Sequence, residues 1–376
     1  MDTMISTYTL QVYWWLLVSI IGAFFVMMTF VQGGQSLLYT IGKTEIERDL
    51  IVNATGRKWE LTFTTLVMFG GALFAAFPLF YSVSFGGAYY LWMAILFFFI
   101  VQAVSYEYRK KPNNLFGERF YEWMLFLNGT AGIFLIGVAL GTLITGGHFV
   151  RNDMNLSHWT LTTYGLEALL VPFNVAFGLM LVFLARILGS LYIYYIVADE
   201  TIDKRALHAL KHNTLIFLPL FLFVVGYMLS QNGYIYDPQT NMVSPSTLQY
   251  LHNYLTYPVL LGILITGVIL LLVGIYLALF KRKDYAFWYA ALGTVLTVTS
   301  VLFVLGINHT IFYPSLSDLQ SSLAIEIASG SHYTLFVMSI VSLLVPVVLG
   351  YIYAVWRSMD KRKLTKEEIE SDPHHY

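Results

Sequence analysis

Residues 57–81 read RKWELTFTTLVMFGGALFAAFPLFY, and after Glu60 no charged residue occurs until Glu107. At 1.5 Å per residue, about 20 apolar residues cross a hydrocarbon layer of about 30 Å. This uncharged run is long enough to cross twice, with the short Ser82–Gly87 stretch as the joint of a tight helical hairpin. The cations Arg57 and Lys58 stand at its start, and Arg109, Lys110 and Lys111 at its end. Both ends of the hairpin therefore open on the same side of a membrane.

Working outward, seven further segments have the same character. The nine candidate spans are residues 8–31, 59–81, 88–106, 121–143, 163–195, 214–230, 254–280, 286–312 and 333–356. The fifth is longer than one crossing needs, so it is expected to tilt or to project past the bilayer on the cytoplasmic side. Composition agrees with the class: 57% of the 376 residues are hydrophobic and 11% charged, against about 25% charged in soluble domains. Aromatic residues reach 17%, suiting span ends among lipid headgroups.

Charge orients the chain. Nineteen Lys and Arg residues fall on one side of the nine spans, only Arg151 falls on the other, and Arg186 lies within the fifth span. The positive-inside rule makes the crowded side cytoplasmic. The fold class is therefore all-α integral membrane, helical bundles plus a peripheral helix, N-terminus outside and C-terminus cytoplasmic. Residues 1–357 form a single polytopic membrane domain and 358–376 a charged cytoplasmic tail, expected to fray apart from one helical turn at residues 365–368. The first apolar run is read as a span and not a cleavable leader, since Asp2 stands where a leader would be basic. The non-spanning stretches on the outside face, residues 146–162, 231–253 and 313–332, are each too short for a core.

Several chemistries are excluded. No cysteine is present, which removes disulfides, iron–sulfur clusters and thiolate metal sites. The net charge of −1, without a basic stripe beyond the loops, gives no nucleic-acid partner. No phosphate-binding, dinucleotide or hydrolase motif occurs. A haem held between helices needs His or Met deep in the spans. His148, His158, His252 and His332 lie in or beside outside loops, and His374 and His375 in the tail. His208 and His212 are four apart at the cytoplasmic approach to the sixth span, where a basic interfacial face is the simpler reading. Only His309 can reach into a span, and Met180, Met228 and Met338 read as packing. No haem and no metal site is expected in this chain.

Ionisable groups at membrane depth are costly and so are candidates for function. Glu60 opens the second span, Glu107 closes the third and Glu122 opens the fourth, all at the cytoplasmic ends of neighbouring helices. Beside so many cations each can simply reach into the headgroups. As a cluster they would suit proton uptake, because carboxylates relay protons where water is scarce. Gly70, Gly71, Ala72, Ala75 and Ala76 would let another helix backbone approach.

The first third of the chain resembles subunit II of the cytochrome bd-type quinol oxidases. The residues that carry the likeness are Trp14-Trp15, Glu47-Arg48, Asn53, Trp59-Glu60 where the family typically has Trp-Asp, the run from Gly70-Gly71-Ala72 to Pro78, Tyr106-Glu107-Tyr108-Arg109, Gly137–Gly141, and the tail from Thr365 to Glu370. The resemblance implies a respiratory complex of the bacterial cytoplasmic membrane that oxidises quinol and reduces dioxygen to water. It places two haems b, one haem d and the quinol site in a polytopic partner, subunit I, with room for small single-span subunits and for a structural quinone or lipid. It makes this chain the haem-free subunit that scaffolds its partner and shapes oxygen access, with Glu60 at the position of the family's proton-route acid; the clustering of acids adds Glu107 to the expected proton route from the cytoplasm. Two departures stand out. The stretch Val31-Gln32-Gly33-Gly34-Gln35 lacks the acid that relatives often carry, and Glu60 is followed by the less polar Leu61-Thr62-Phe63. The competing reading is a polytopic secondary transporter, which would need broken helices with charge near the bilayer midplane; only Arg186 points that way. A haem-binding cytochrome is a third.

Overall fold

The computed structural model describes residues 5–371, so Asp2, His374 and His375 lie outside the described residues. Among the described residues nine helices are long and apolar enough to cross a membrane. They are α1 (Thr7–Ser36), α2 (Glu45–Ala76), α3 (Tyr89–Tyr108), α4 (Glu118–Thr145), α5 (Pro172–Ile196), α6 (Glu200–Ser230), α7 (Pro258–Lys281), α8 (Ala286–Gly306) and α9 (His332–Met359), followed by a short α10 (Lys366–Ser371).

Local chemistry sets the ends of these helices. Ser6 accepts from the Thr9 amide at the start of α1, and Asp199 accepts from Thr201 and Ile202 at the start of α6. Thr44 and Glu47 form a reciprocal capping box at α2. Pro172 and Pro258 sit at first helical positions, where a missing N–H costs nothing. A turn at Arg57–Lys58 divides α2 into an initial Glu45–Gly56 segment and the spanning Trp59–Ala76. The expected α2–α3 joint is a π-helical turn over Ser82–Gly87.

The centre of the bundle is α1, packed on α2, α5, α8 and α9. Glycines allow its closest approach. A Cβ on Gly33 would lie 1.7 Å from the Ala185 carbonyl oxygen, and one on Gly189 would lie 2.4 Å from the Gly34 nitrogen. Backbone contact of this kind is how apolar helices associate when lipid gives no hydrophobic drive between them. Gly267, Gly274 and Gly293 do the same between α7 and α8. By contrast a Cβ on Gly71 would meet nothing within 4 Å, and one on Gly70 only the Phe85 ring at 3.7 Å. At Gly70 and Gly71 no other helix of the chain is received, whereas Ala76 at the end of the run is fully buried and its carbonyl accepts from Gly330 N–H at 2.9 Å. The peripheral helix is α9, with only 11% of its most apolar window buried.

Three further boundaries differ. The surplus of the fifth span is not a cytoplasmic projection: residues 163–171 form a turn and a 3-10 helix (Leu166–Leu170) at the opposite end, and α5 begins at Pro172. The sixth helix extends back to Glu200, and the eighth stops at Gly306. The loops at the end away from the lysines are individually short but interlock. Hairpins β1 (Phe149–Arg151)–β2 (Ser157–Trp159) and β3 (Gly233–Asp237)–β4 (Met242–Ser246) are bridged by residues 307–324 through Ile311 N–H to Tyr234 O and Leu316 N–H to Gly147 O. A small core of Val243, Ile311 and Ala324 lies inside this cap.

The described part of the tail is tied down rather than frayed. Leu364 is fully buried and pairs by backbone with Ile196 and Ala198, while Lys58–Asp360, Lys363–Asp284, Lys366–Asp199 and Arg57–Glu368 ion pairs of 2.7–2.9 Å pin it across the basic end.

Candidate functional site

Three segments bring charged side chains together at the basic end. Arg109, just past α3, lies with Nη2 2.7 Å from Glu122 Oε1 on α4, and also donates to Asp49 Oδ1 in the first segment of α2. Arg48 donates from Nε to Glu122 Oε2 at 2.9 Å, and Lys110 reaches Asp49 at 3.1 Å and Glu118 at 3.0 Å. Arg109 and Glu122 are wholly buried. Three cations meet these three carboxylates, and a fourth, the exposed Glu45, lies 3.8 Å from Lys110; the buried Arg109, Asp49 and Glu122 are each paired, the condition under which buried charge is tolerated.

The cluster continues inward as a polar column. Gln102, Tyr106 and Arg109 recur at i, i+4 and i+7 along one face of α3. The Tyr106 hydroxyl lies 2.8 Å from both Gln35 Nε2 and Thr55 Oγ1, and its ring stacks on Trp59 at 5.7 Å. Deeper still, Gln32 Nε2 lies 3.4 Å from Gln102 Oε1.

Glu60 and Glu107 are not in this column. In the spanning part of α2 and just past it the exposed positions are Glu60, Thr64, Val67, Met68, Gly71, Phe74 and Pro78, a helical stripe; those of α3 include Met93, Phe97, Ile100, Val104 and Glu107. Both acids stand at the basic end of outward-facing, otherwise mostly apolar stripes. Glu107 pairs with Lys111 at 3.0 Å, and among the described residues Glu60 has no ion pair. Of the three acids expected to cluster, Glu122 alone is interior. Ala72 and Trp59 flank the α2 stripe, half-buried. Asp49 was not anticipated from the sequence; its signal was its place four residues before Asn53, whose amide donates to the Asp49 carbonyl at 2.9 Å.

A second feature opens near the cap. A cavity of about 260 Å³ is lined by Ser84, Thr142, His148, Trp159, Glu167 and Tyr313 among apolar neighbours. Ser84, Trp92 and Ala139 also line an apolar chamber of about 30 Å³ beside Trp15, Phe69 and Leu302. A third, of about 10 Å³, lined by Gly22, Phe25 and Leu66, shares Phe69, Trp92, Leu140 and Leu302 with it. Nearby, His309 hydrogen-bonds Glu326 through Nδ1 and stacks on Tyr8 at 4.8 Å. The rings of His208 and His212 lie 4.2 Å apart on α6, tilted by 44°.

The model of the family described as cytochrome bd terminal oxidase subunit II matches residues 10–359. The chain belongs to that family. It is 28% identical to the cytochrome bd-I ubiquinol oxidase subunit 2 of Escherichia coli, with 99% of each chain covered. Against a probable cytochrome oxidase subunit 2 of Haemophilus influenzae it is 27% identical over 94% of each. Against the Bacillus subtilis cytochrome bd ubiquinol oxidase subunit 2 the figures are 26%, 93% of this chain and 96% of the relative. Its fold matches a chain of the bd oxidase from Geobacillus thermodenitrificans with a TM-score of 0.63 at 17% identity, covering 93% of this chain and 98% of that one. As a subunit II, the chain is part of a terminal oxidase, and the transporter reading gives way. His309 lies past the end of α8 with Nδ1 committed to Glu326, and Met180 and Met228 are packed among the apolar core residues.

Proposed function

We propose that this chain is the haem-free subunit of a quinol:dioxygen oxidoreductase in a bacterial cytoplasmic membrane, with its basic end in the cytoplasm. The two b haems, the d haem and the quinol site belong to subunit I. The carrying observation is the outward stripe of α2, where an unpaired carboxylate, Glu60, leads into Gly71 and Phe74. Small residues on an outward helix face suit the close approach of another protein helix, and subunit I is the occupant that the family supplies. Covered in this way, Glu60 would stand at the cytoplasmic mouth of the interface, able to take a proton from water and pass it inward. Glu107, on the neighbouring stripe, would raise the local supply of protons.

The experiment is oxygen uptake with quinol by the purified complex. Glu60→Gln is expected to lower turnover while leaving assembly and haem content intact; full activity in that variant removes Glu60 from the mechanism. Small single-span subunits in the same preparation would be detected by mass spectrometry.

The chambers running from the cap cavity toward Gly22 support a second role. The cavity of about 260 Å³ beside Glu167 and Tyr313 suits part of a structural quinone or lipid, and the much smaller apolar chambers beyond it suit passage of dioxygen.

A further inference from the structure

The inner end of the polar column has unmet hydrogen-bonding capacity. Gln32, Gln102 and Asn128 are fully buried and Gln35 is 2% exposed. Between them five atoms have no protein hydrogen-bond partner among the described residues: Gln32 Oε1, Gln35 Oε1, Gln102 Nε2, and both Oδ1 and Nδ2 of Asn128. These four residues come from three helices that meet here. Asn128 begins the π-helical turn Asn128–Gly132 inside α4, which packs against both α1 and α3. A Cβ on Gly129 would sit 2.3 Å from the Gln32 carbonyl oxygen and 3.2 Å from Gln35 Cβ, and one on Gly132 would sit 3.2 Å from both Asn128 Nδ2 and Phe98 Cβ. The turn thus brings Asn128 to the level of the glutamines.

Exchanging amide oxygen for nitrogen does not solve the problem. Gln32 and Gln102 share one bond, so in either orientation each keeps an atom over. Leaving such groups dry inside a membrane protein is costly, and most buried polar atoms in folded proteins do find partners. Nothing outside the chain can reach them, because the four side chains are closed off from lipid and from any neighbouring subunit. The occupant has to be small, internal, and both donor and acceptor.

We infer that Gln32, Gln35, Gln102 and Asn128 enclose an ordered cluster of internal water. Three acceptors and two donors converge there, and a buried water commonly makes about three hydrogen bonds, so more than one molecule is held. The π-helical turn packs tightly on α1 and α3 through Gly129 and Gly132, and their small size is what lets Asn128 lie level with the glutamines. The column then joins two chemistries, ion pairs at the basic end and hydrated amides in the interior, with Tyr106 and Gln35 as the link. This chamber is separate from Glu60 and Glu107, which face outward, so it stands whether or not they carry protons.

The test uses the complete oxidase in nanodiscs. Radiolysis by X-rays converts bound water to hydroxyl radicals that oxidise side chains next to it, even buried ones. Tyr106, 2% exposed and bonded to Gln35, is expected to be oxidised in the native complex as readily as an exposed tyrosine between spans such as Tyr285. In Gln102→Leu and Asn128→Leu that oxidation should fall severalfold and the melting temperature should drop, because the water loses its partners. An unlabelled Tyr106 in the native complex overturns the inference. So does a rise in melting temperature in Asn128→Leu, since in a dry chamber that leucine removes only unsatisfied groups, whereas Gln102→Leu also breaks the bond to Gln32. The native measurement decides even if a variant fails to assemble.

Discussion

Arg109 and Glu122 lie 13 residues apart, one just after α3 and the other early in α4, and their side chains meet at 2.7 Å with neither exposed. The pair closes the α3–α4 connection and, through Asp49 and Arg48, ties it to the first segment of α2. Breaking it from one side leaves a guanidinium buried against fewer counter-charges. Glu122→Ala is expected to destabilise the chain by about 3–5 kcal/mol, the range for stripping one partner from a buried pair. The check is the yield and thermal midpoint of the assembled complex against Glu107→Ala, whose exposed pair with Lys111 should cost about 0–1 kcal/mol.

Gly71 and Gly33 separate assembly from folding. Gly71→Leu meets open space within the chain, so the isolated subunit should keep its thermal midpoint while recovery of the haem-bearing partner falls. Gly33→Ala drives a methyl into the Ala185 backbone and should destabilise the subunit itself by about 3 kcal/mol, the upper end of ordinary overpacking. Equal partner recovery with Gly71→Leu would place subunit I on another face.

The tail clasp should respond to acid. The Asp284 carboxyl is held below the usual carboxylate range by the hydrogen bond from Lys363. Burial pushes Asp199 up, but hydrogen bonds from Lys366 and the Ile202 and Thr201 amides outweigh it, so its pKa is also lowered. Groups with depressed folded-state values contribute stability above their ordinary pKa, about 4 for aspartate, and lose it as pH falls through the depressed value. Limited proteolysis at Lys361–Lys363 should therefore be slow and unchanging from pH 8 to about 5 and accelerate below about 4. Acceleration already between pH 7 and 6 would mean that other groups hold the tail.

Ala139 lines both the cap cavity and the apolar chamber beside it. Ala139→Leu should narrow the passage between them. Mass spectrometry of the purified complex should then find less copurifying quinone or lipid, about tenfold less if the narrowing costs 1.4 kcal/mol of binding. An unchanged complement would assign the chambers to gas passage or packing.

The number of spans, the hairpin at Ser82–Gly87 and the separation of charge to one end were legible in residue order alone, because a bilayer imposes length and polarity on each segment independently. The family could also be read from local runs such as Trp59-Glu60 and Gly70-Gly71-Ala72. What sequence could not decide was which way a helix turns its faces. Glu60, Glu107 and Glu122 look alike as acids beside cations at span ends, yet two point outward and one is wholly enclosed, since facing depends on which neighbours pack against each helix. The same rotation turned Gly70 and Gly71 away from the bundle and gave close packing to Gly33, Gly34 and Gly189. It also aligned Gln32, Gln35, Gln102 and Asn128, from three separate stretches of chain, into one interior column. Tertiary contact alone could close the tail over the basic end, because each of its ion pairs joins residues far apart in sequence.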